Sequence, residues 1–364
     1  MVHVILLIGC AVVIYLSCEW FVNAVEWLGR RLQVGRLAVG TILAAFGTAL
    51  PETVVTFVAV VFGDGPEAKD IGVGAAMGGP LALATVAYGA TGWMMLTRRR
   101  ARAATRVSSV VGGGGAPTAE PGDALGDTRK LARDQGWFLA IFIVKVALGL
   151  VALAVKPWLG LLFFAAYAVY FWREIRADQH ADGSEGGGSG GSQGGGSEGD
   201  GGGLGPLLLQ RRRATPATWA VVTQTLVSVV IIFLAAQLFV HQLAAIGPML
   251  GLPAAVTALL LAPIATELPE IMNAIIWVRQ GKTSLALANI SGSMMIQATL
   301  PSGLGMLFTP WLFDPALLLS GLATMAAIVY LLILLRTGRF NAKTMSLAGV
   351  FYLAFAACLV PIVT

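Results

Sequence analysis

The chain has 364 residues, of which 57% are apolar and 12% are charged, and its formal net charge is +5. An average soluble domain has about 45–50% apolar and about 25% charged residues. The 19 acidic and 24 basic residues cannot cover the surface of a soluble globule of this length. The composition therefore excludes a soluble enzyme, a disulfide scaffold and a disordered protein, and it indicates a polytopic membrane protein.

Apolar segments long enough to cross a bilayer recur along the chain. A helix that crosses the hydrocarbon core needs about 20 mostly apolar residues. The N-terminus is apolar without a basic leader or a small-residue cleavage site, which indicates a first transmembrane helix and not a removed signal peptide. This rule predicts ten spans, near residues 2–28, 37–62, 71–97, 136–155, 157–173, 216–244, 250–278, 284–308, 313–335 and 344–363.

The basic residues are distributed asymmetrically between these spans. The first, third, fifth, seventh and ninth loops hold 21 of the 24 Lys and Arg residues. Cytoplasmic loops of membrane proteins have this excess, so the odd loops are predicted to be cytoplasmic and both termini to lie outside the cell. The clustering beside apolar segments also argues against a nucleic-acid partner. The expected location is the inner (plasma) membrane.

Cysteine and glycine patterns indicate no cofactor. Cys10, Cys18 and Cys358 all lie in apolar runs without a CxxC pair, so neither a zinc site nor a disulfide framework is predicted. The glycine-rich run within 178–215 has no preceding strand and no GK[ST] sequence, and its composition is typical of a flexible linker. We therefore expect a first domain at 1–177, with a cytoplasmic loop at 98–135, and a second domain at 216–364.

The two domains resemble each other in sequence. Thr48-Ala49-Leu50-Pro51-Glu52 matches Thr266-Glu267-Leu268-Pro269-Glu270 at an offset of 218 residues. Because each half has an odd number of spans, the second must insert upside down relative to the first. The predicted fold is an all-α polytopic membrane protein of two inverted five-helix repeats, with broken second and seventh helices. Inverted repeats are typical of secondary transporters, whose substrate site lies near the midplane.

Three carboxylates fall near the middle of apolar spans: Glu52, Glu267 and Glu270. A charged side chain at the bilayer centre costs roughly 2.5–3.5 kcal/mol on insertion scales. The prolines that precede Glu52 and Glu270 interrupt helical hydrogen bonding and free backbone carbonyls. Together with the hydroxyls of Thr48 and Thr266, these groups form an all-oxygen set that suits a hard cation such as Ca²⁺, Na⁺ or Mg²⁺. The alternative is that the prolines only kink the helices and the glutamates bond to neighbours.

The eighth span has a polar face. Asn289, Ser293 and Gln297 recur at every fourth residue, which places them along one side of a helix. On an apolar span this pattern indicates the lining of a cavity. The small residues at 72–80 and 288–293 allow close helix packing, and packing alone is an alternative role for those glycines.

These motifs resemble those of the calcium/cation antiporter superfamily, the sodium/calcium exchangers and their bacterial relatives. The family repeats look like G-T-S-L-P-E followed by G-N-x-x-G-S-x-x-x-[ND]. Here the first half reads GTALPE at 47–52 and GAAMGG at 74–79, with Leu83 last; the second reads ATELPE at 265–270 and ANISGS at 288–293, with Gln297 last. The downstream motifs are degraded, and Glu267 replaces the family's serine.

The resemblance implies Glu52 and Glu270 as the principal ligands of a divalent cation, with Thr48 and Thr266 beside them. Ser293 and Gln297 would serve Na⁺ or H⁺ coupling, while Gly79 and Leu83 offer no side-chain ligand in the first half. We therefore expect altered coupling, with Glu267 as a proton carrier. Glu267 facing an aqueous vestibule and only attracting cations is the alternative.

The expected function is secondary active antiport of a divalent cation, above all Ca²⁺, for Na⁺ or H⁺ by alternating access. Spans one and six would be the moving elements. The alternatives are transport of another cation (Mg²⁺, Mn²⁺ or K⁺) and a transport-inactive ion sensor. An intramembrane hydrolase is disfavoured because the histidines, His3, His180 and His241, lie outside the proposed site. Since both repeats lie in one chain, a monomer can complete the site.

Overall fold

The structure is a computed structural model that describes residues 2–31, 43–98, 128–183, 206–213, 215–281 and 283–363. Helices joined by short turns make up these ranges, and no strand occurs within them. The prediction of an all-α protein is confirmed. Most of the predicted loop at 98–135 and of the linker at 178–215 lies outside the described residues.

The helices of the first half are α1 to α5. Their bounds are Val2–Arg31, Leu43–Phe57, Gly65–Arg98, Thr128–Leu150 and Lys156–Gly183. Those of the second half are α6 to α12, with bounds Thr218–Leu250, Ala254–Thr266, Leu268–Gln280, Thr283–Phe308, Pro315–Arg336, Ala342–Ser346 and Ala348–Val363. A short 3₁₀ turn, Leu208–Gln210, precedes α6.

Length and hydropathy single out the helices that suit a bilayer. Within the described part of the chain, five candidates reach the length and apolarity that a membrane span requires: Val2–Phe21, Gly65–Arg98, Thr218–Leu250, Pro315–Arg336 and Ala342–Ile362. Shorter apolar helices occupy Ala49–Phe62 and Ala254–Pro263. The total of ten spans stays a prediction.

The fourth and fifth helices extend beyond their predicted spans on one side. α4 begins at Thr128, although the sequence predicts the apolar span at 136–155, and α5 continues to Gly183, past the predicted end at 173. Hydropathy detects only the apolar part of a helix, whereas backbone hydrogen bonding continues into polar turns at its ends. Charged turns such as Arg129–Asp134 are therefore helical too.

The two motif helices differ in their continuity. The seventh span is interrupted at Glu267, where α7 ends and α8 begins. The second span is not interrupted at Pro51: α2 continues through this proline to Phe57 and passes into a π-helical turn at Val58–Phe62. The predicted break at Pro51 is therefore wrong. The helical geometry changes only after Phe57. One proline removes a single backbone donor, whereas Pro263 and Pro269 remove two close together.

The first helices of the two halves run in opposite directions. Near one end of α1, His3 Nδ1 lies 2.8 Å from Gln242 Oε1 of α6. Toward the other end, Gln224 Nε2 donates to Asn23 Oδ1 over 3.1 Å. The contacts between halves are also reciprocal, since α2 packs on α9 and α7 packs on α3. This arrangement confirms the inverted relation of the repeats.

The helix α3 lies deep in the molecule and packs closely on α7. A Cβ atom added at Gly78 would come within 2.7 Å of the Leu259 carbonyl oxygen and 2.6 Å of Pro263. A Cβ at Gly74 would overlap the Ala255 carbonyl. Close approach of backbones therefore explains these glycines, as the packing alternative proposed. The contact places the glycine-rich stretch of the first half beside the broken span of the second.

Candidate cation site at the repeat interface

The carboxylate of Glu52 joins the two halves. Glu52 lies on α2 and is fully buried, and Thr266 is the last residue of α7. Thr266 Oγ1 donates to Glu52 Oε2 over 2.6 Å; its other acceptors are the Ala262 carbonyl at 3.1 Å and Glu267 Oε1 at 3.4 Å. A hydroxyl has one proton, so the shortest contact identifies Glu52 as its principal acceptor.

Glu267 lies at the interruption between α7 and α8 and is also fully buried. The Gln297 side-chain nitrogen, on α9, donates to both of its carboxylate oxygens, each over 2.8 Å. Glu52 and Glu267 repel each other electrostatically. The resulting row, Glu52–Thr266–Glu267–Gln297, lies across the boundary between the repeats.

Gly79 makes room for this row. A Cβ atom at Gly79 would lie 2.8 Å from Gln297 Oε1 and 3.1 Å from Glu267 Oε1. Any side chain at this position would push against the Glu267–Gln297 pair. Three of the departures from the family motif, at positions 79, 267 and 297, therefore occupy one common space. Sequence reasoning treated them as separate losses and gains.

The remaining predicted residues are placed as follows. Glu270 is fully buried in the first turn of α8, one turn beyond Glu267. Asn289 and Ser293 are buried on α9, on the same face as Gln297. Thr48 belongs to α2, one turn before Glu52, but its side chain lies outside the described residues. The ligand role of each of these residues stays a prediction.

Several oxygen atoms of this region are buried without a hydrogen bond. No donor among the described residues reaches Glu52 Oε1, Gln297 Oε1 or Asn289 Oδ1. Buried polar atoms are nearly always paired, and an unpaired one is costly. Across the ranges that the structure describes, no three His, Cys, Asp or Glu side chains gather as a metal-binding group. A cation here would thus need amide and hydroxyl oxygens besides carboxylates.

A buried lysine close to this region was not singled out from the sequence. Lys145 of α4 is fully buried, and its Nζ donates to the Ala76 carbonyl of α3 over 2.7 Å. Its positive charge and the negative charge of Glu52 attract each other. The position of Lys145 in the middle of a predicted span is the sequence feature that could have identified it, because a charge inside a membrane requires a partner.

Two inverted helical halves, with carboxylates buried where they meet, define a membrane transporter for cations. A model of the sodium/calcium exchanger protein family matches residues 2–175 and 220–363. The chain belongs to this family of antiporters, which are transporters and not enzymes. The match includes both halves and omits the segment between them.

Known proteins resemble the chain over most of its length. A curated relative from Alkalimonas amylolytica, named "Putative antiporter CaxA", is 22% identical over 319 residues, which is 86% of this chain and 82% of the relative. The crystal structure of the H⁺/Ca²⁺ exchanger CAX matches with a TM-score of 0.64 and 17% identity, over 98% of this chain and 82% of the other. The sodium-calcium exchanger NCX_Mj, soaked with 2.5 mM Na⁺ and 0.1 mM Ca²⁺, matches with a TM-score of 0.56 and 15% identity, over 99% of both chains. These likenesses confirm the fold.

Proposed function

We propose that the protein exchanges a divalent cation, Ca²⁺ above all, for Na⁺ or H⁺ by alternating access. The principal supporting observation is the buried row Glu52–Thr266–Glu267–Gln297, which combines groups of both halves. The solved structures that share the fold are those of the H⁺/Ca²⁺ exchanger CAX and of the sodium-calcium exchanger NCX_Mj. Antiport follows if the carboxylates can be neutralised by one ionic species or the other, since a charged empty site crosses a membrane poorly.

The proposed ligands are all oxygen atoms. Glu52 and Glu270 are the principal carboxylate ligands; the further ligands are Thr48, Thr266, Glu267, Asn289, Ser293 and Gln297. The unpaired oxygens of Glu52, Asn289 and Gln297 support this set, because each has a free lone pair to offer a cation. Ca²⁺ takes six to eight oxygen ligands in flexible geometry, which suits a site assembled from four helices.

Coupling to H⁺ is proposed to involve Glu267. In the first half, the family's downstream ligand positions are Gly79 and Leu83, so the second half must supply the group that binds the coupling ion. Glu267 can hold a proton, and the two shortest hydrogen bonds that it accepts come from the neutral amide of Gln297. Strict sodium dependence, with no response to a pH gradient, would contradict this assignment.

The function is tested with purified protein in sealed vesicles. Uptake of labelled Ca²⁺ is measured against outward gradients of Na⁺ or H⁺, with Mg²⁺, Mn²⁺ and K⁺ as competitors. The proposal expects Ca²⁺ uptake that requires one of the two gradients. Uptake that Mg²⁺, Mn²⁺ or K⁺ suppresses more strongly than unlabelled Ca²⁺ would indicate the alternative cargo.

A transport-inactive sensor is a second candidate, favoured by the missing ligands at Gly79 and Leu83. A sensor would bind Ca²⁺ with measurable heat but would move none across the vesicle membrane. Calorimetry on the same preparation therefore distinguishes sensing from transport.

The proposed location is the inner (plasma) membrane, with both termini outside and the odd loops cytoplasmic. The positive-inside distribution of Lys and Arg supports this orientation. Reporter fusions at either terminus test it, because a reporter active only outside the cytoplasm should give signal at both ends.

A further inference from the structure

The segment that precedes α6 is docked on the ends of two helices. This docked segment comprises residues 206–213. The side chain of Asn23, on α1, donates to the Pro206 carbonyl over 3.3 Å and accepts from the Leu208 backbone N–H over 3.0 Å. Leu207 is fully buried among apolar residues of α1 and α6. The backbone of the docked segment is therefore fixed against α1.

Gln224 ties the docked segment to α6. Its side-chain oxygen accepts from the Leu209 N–H over 2.8 Å, and its side-chain nitrogen donates to the Trp20 carbonyl of α1, also over 2.8 Å. Gln210 Oε1 accepts from the Ala217 N–H over 2.9 Å, just before α6 begins. The docked segment, α1 and α6 thus share one network of hydrogen bonds and form one unit at this end of the two helices.

Three consecutive arginines end the docked segment: Arg211, Arg212 and Arg213. The side chains of all three are exposed. Within the part of the chain that the structure describes, no carboxylate forms an ion pair with any of them. The docked segment therefore presents three positive charges that have no countercharge among the described residues.

These arginines lie at the level of a membrane surface. From Thr218 onward, α6 is long and apolar enough to span a bilayer. Trp219 in its first turn is 63% exposed, and Trp20 on α1 is 40% exposed. Tryptophan is enriched where the hydrocarbon core meets the lipid headgroups. Since the docked segment lies beside Trp20 and shortly precedes Trp219 in the chain, its arginines are placed at the headgroup layer.

Phosphate is the anion that suits these arginines. A guanidinium donates two parallel hydrogen bonds to a phosphate, and each basic residue beside a membrane favours anionic lipid by about fivefold. Because the backbone is already docked, it loses little further freedom when a lipid binds. We infer that the docked segment binds the phosphates of anionic phospholipids and so fastens the ends of α1 and α6 to the membrane surface. This inference concerns lipid binding and does not rest on the proposed exchange function.

Amide hydrogen exchange in lipid nanodiscs tests the inference. The full chain is placed in nanodiscs of phosphatidylcholine alone, or of equal parts of phosphatidylcholine and phosphatidylglycerol, and exchange in residues 206–213 is followed by mass spectrometry. A ligand that binds only the docked form suppresses local opening, so exchange should be about tenfold slower with phosphatidylglycerol. About 1 M NaCl, which shortens the screening length to about 3 Å, should remove this difference.

Two sets of substitutions separate the docked segment from general surface charge. The first set replaces its three arginines by Gln, and the effect of phosphatidylglycerol should then disappear. The matched control replaces three exposed bases at and around the turn between α10 and α11, and the tenfold effect on residues 206–213 should remain. The control substitutions are Arg336→Gln, Arg339→Gln and Lys343→Gln.

The other outcomes overturn the inference. Equal exchange of the wild-type segment in both lipids does so even if a substituted protein does not fold. Retention of the lipid effect without the three arginines would assign it to other groups, and its loss in both sets of variants would assign it to the overall charge. Salt-sensitive exchange that is the same in both lipids would mean that an acidic segment of the chain, and not a lipid, binds the arginines. Failure of cation exchange in vesicles contradicts the proposed function alone, because amide exchange does not depend on ion flux.

Discussion

A Cβ atom added at Gly79 would lie 2.8 Å from Gln297 Oε1. The absence of a side chain on α3 is thus the condition under which Gln297 of α9 reaches Glu267. The glycine is therefore more than a lost ligand. The Glu267–Gln297 carboxylate–amide pair fills the space that a side chain at position 79 would need.

Gly79→Ala should weaken cation binding. The added methyl group pushes on the Glu267–Gln297 pair, and overpacking of this kind typically costs 1–3 kcal/mol, which corresponds to a loss of affinity of about 5-fold to about 150-fold. Calorimetric titration of the purified variant with Ca²⁺ measures the effect. Gly9→Ala on α1 is the matched control, because a Cβ there meets nothing within 4 Å.

Thr266→Val should also weaken binding. It removes the hydroxyl that donates to Glu52 over 2.6 Å, and hydrogen bonds to charged groups contribute about 1.5–3 kcal/mol. We expect a loss of affinity of roughly tenfold or more, with rescue by Thr266→Ser. Equal affinities of the valine and serine variants would show that the hydroxyl is not needed.

Glu52→Gln and Glu270→Gln should each abolish uptake without unfolding the protein. Loss of one buried charge partner commonly costs about 2–5 kcal/mol, so binding should fall by about 30-fold or more. Size-exclusion chromatography checks the fold and vesicle uptake checks the function. The control is Glu67→Gln, which changes an exposed carboxylate in the first turn of α3. Near-normal uptake in either variant would remove that glutamate from the site.

Glu267→Gln should abolish uptake that is driven by a pH gradient. The amide cannot take up and release a proton, whereas Na⁺ can still be bound by the remaining oxygens. Parallel vesicle assays with an H⁺ gradient or a Na⁺ gradient measure the two modes, and the H⁺-driven rate should fall at least about tenfold if this residue supplies the proton site. Retention of H⁺-driven uptake would assign the proton to another group.

Asn23→Leu should expose the segment that precedes α6. Asn23 accepts from the Leu208 backbone and donates to the Pro206 carbonyl, and Gln224 donates to it as well. Loss of these bonds, each contributing about 1 kcal/mol, favours local opening. Trypsin should then cleave at the exposed Arg211–Arg213 about tenfold faster.

Tyr15→Phe is the control for this measurement, since it removes only the hydroxyl that donates to Glu19 on the same helix. An unchanged rate in Asn23→Leu, with the wild-type rate in Tyr15→Phe, would mean that this segment is held by its other contacts, such as the Leu209–Gln224 hydrogen bond and the packing of Leu207.

The fold and the principal carboxylates could be predicted because their signals are local. Hydropathy adds up along each helix, and a buried carboxylate such as Glu52 stands out against its apolar neighbours. The interruption at Glu267 also has a local signal in the flanking prolines, although the same signal gave a break at Pro51 that α2 does not have. That interruption is flanked by two prolines, Pro263 and Pro269, whereas α2 has Pro51 alone.

The partners within the site could not be predicted in this way. The donation from Lys145 to Ala76 depends on how α4 packs on α3, and the fit of Gln297 beside Gly79 depends on α9 and α3. Each pair is distant in sequence, and the chain alone does not specify which side chains meet.

The hydrogen bonds between α1 and α6 have a mechanical consequence. The pair is fastened near both ends, by His3 with Gln242 and by Asn23 with Gln224. Two helices that are joined near both ends can tilt together but cannot separate at either end. In the proposed alternating access, a tilt that moves the His3 end outward would move the Asn23 end inward, so that one movement opens one face and closes the other. A leak through both faces at once would require these ties to break.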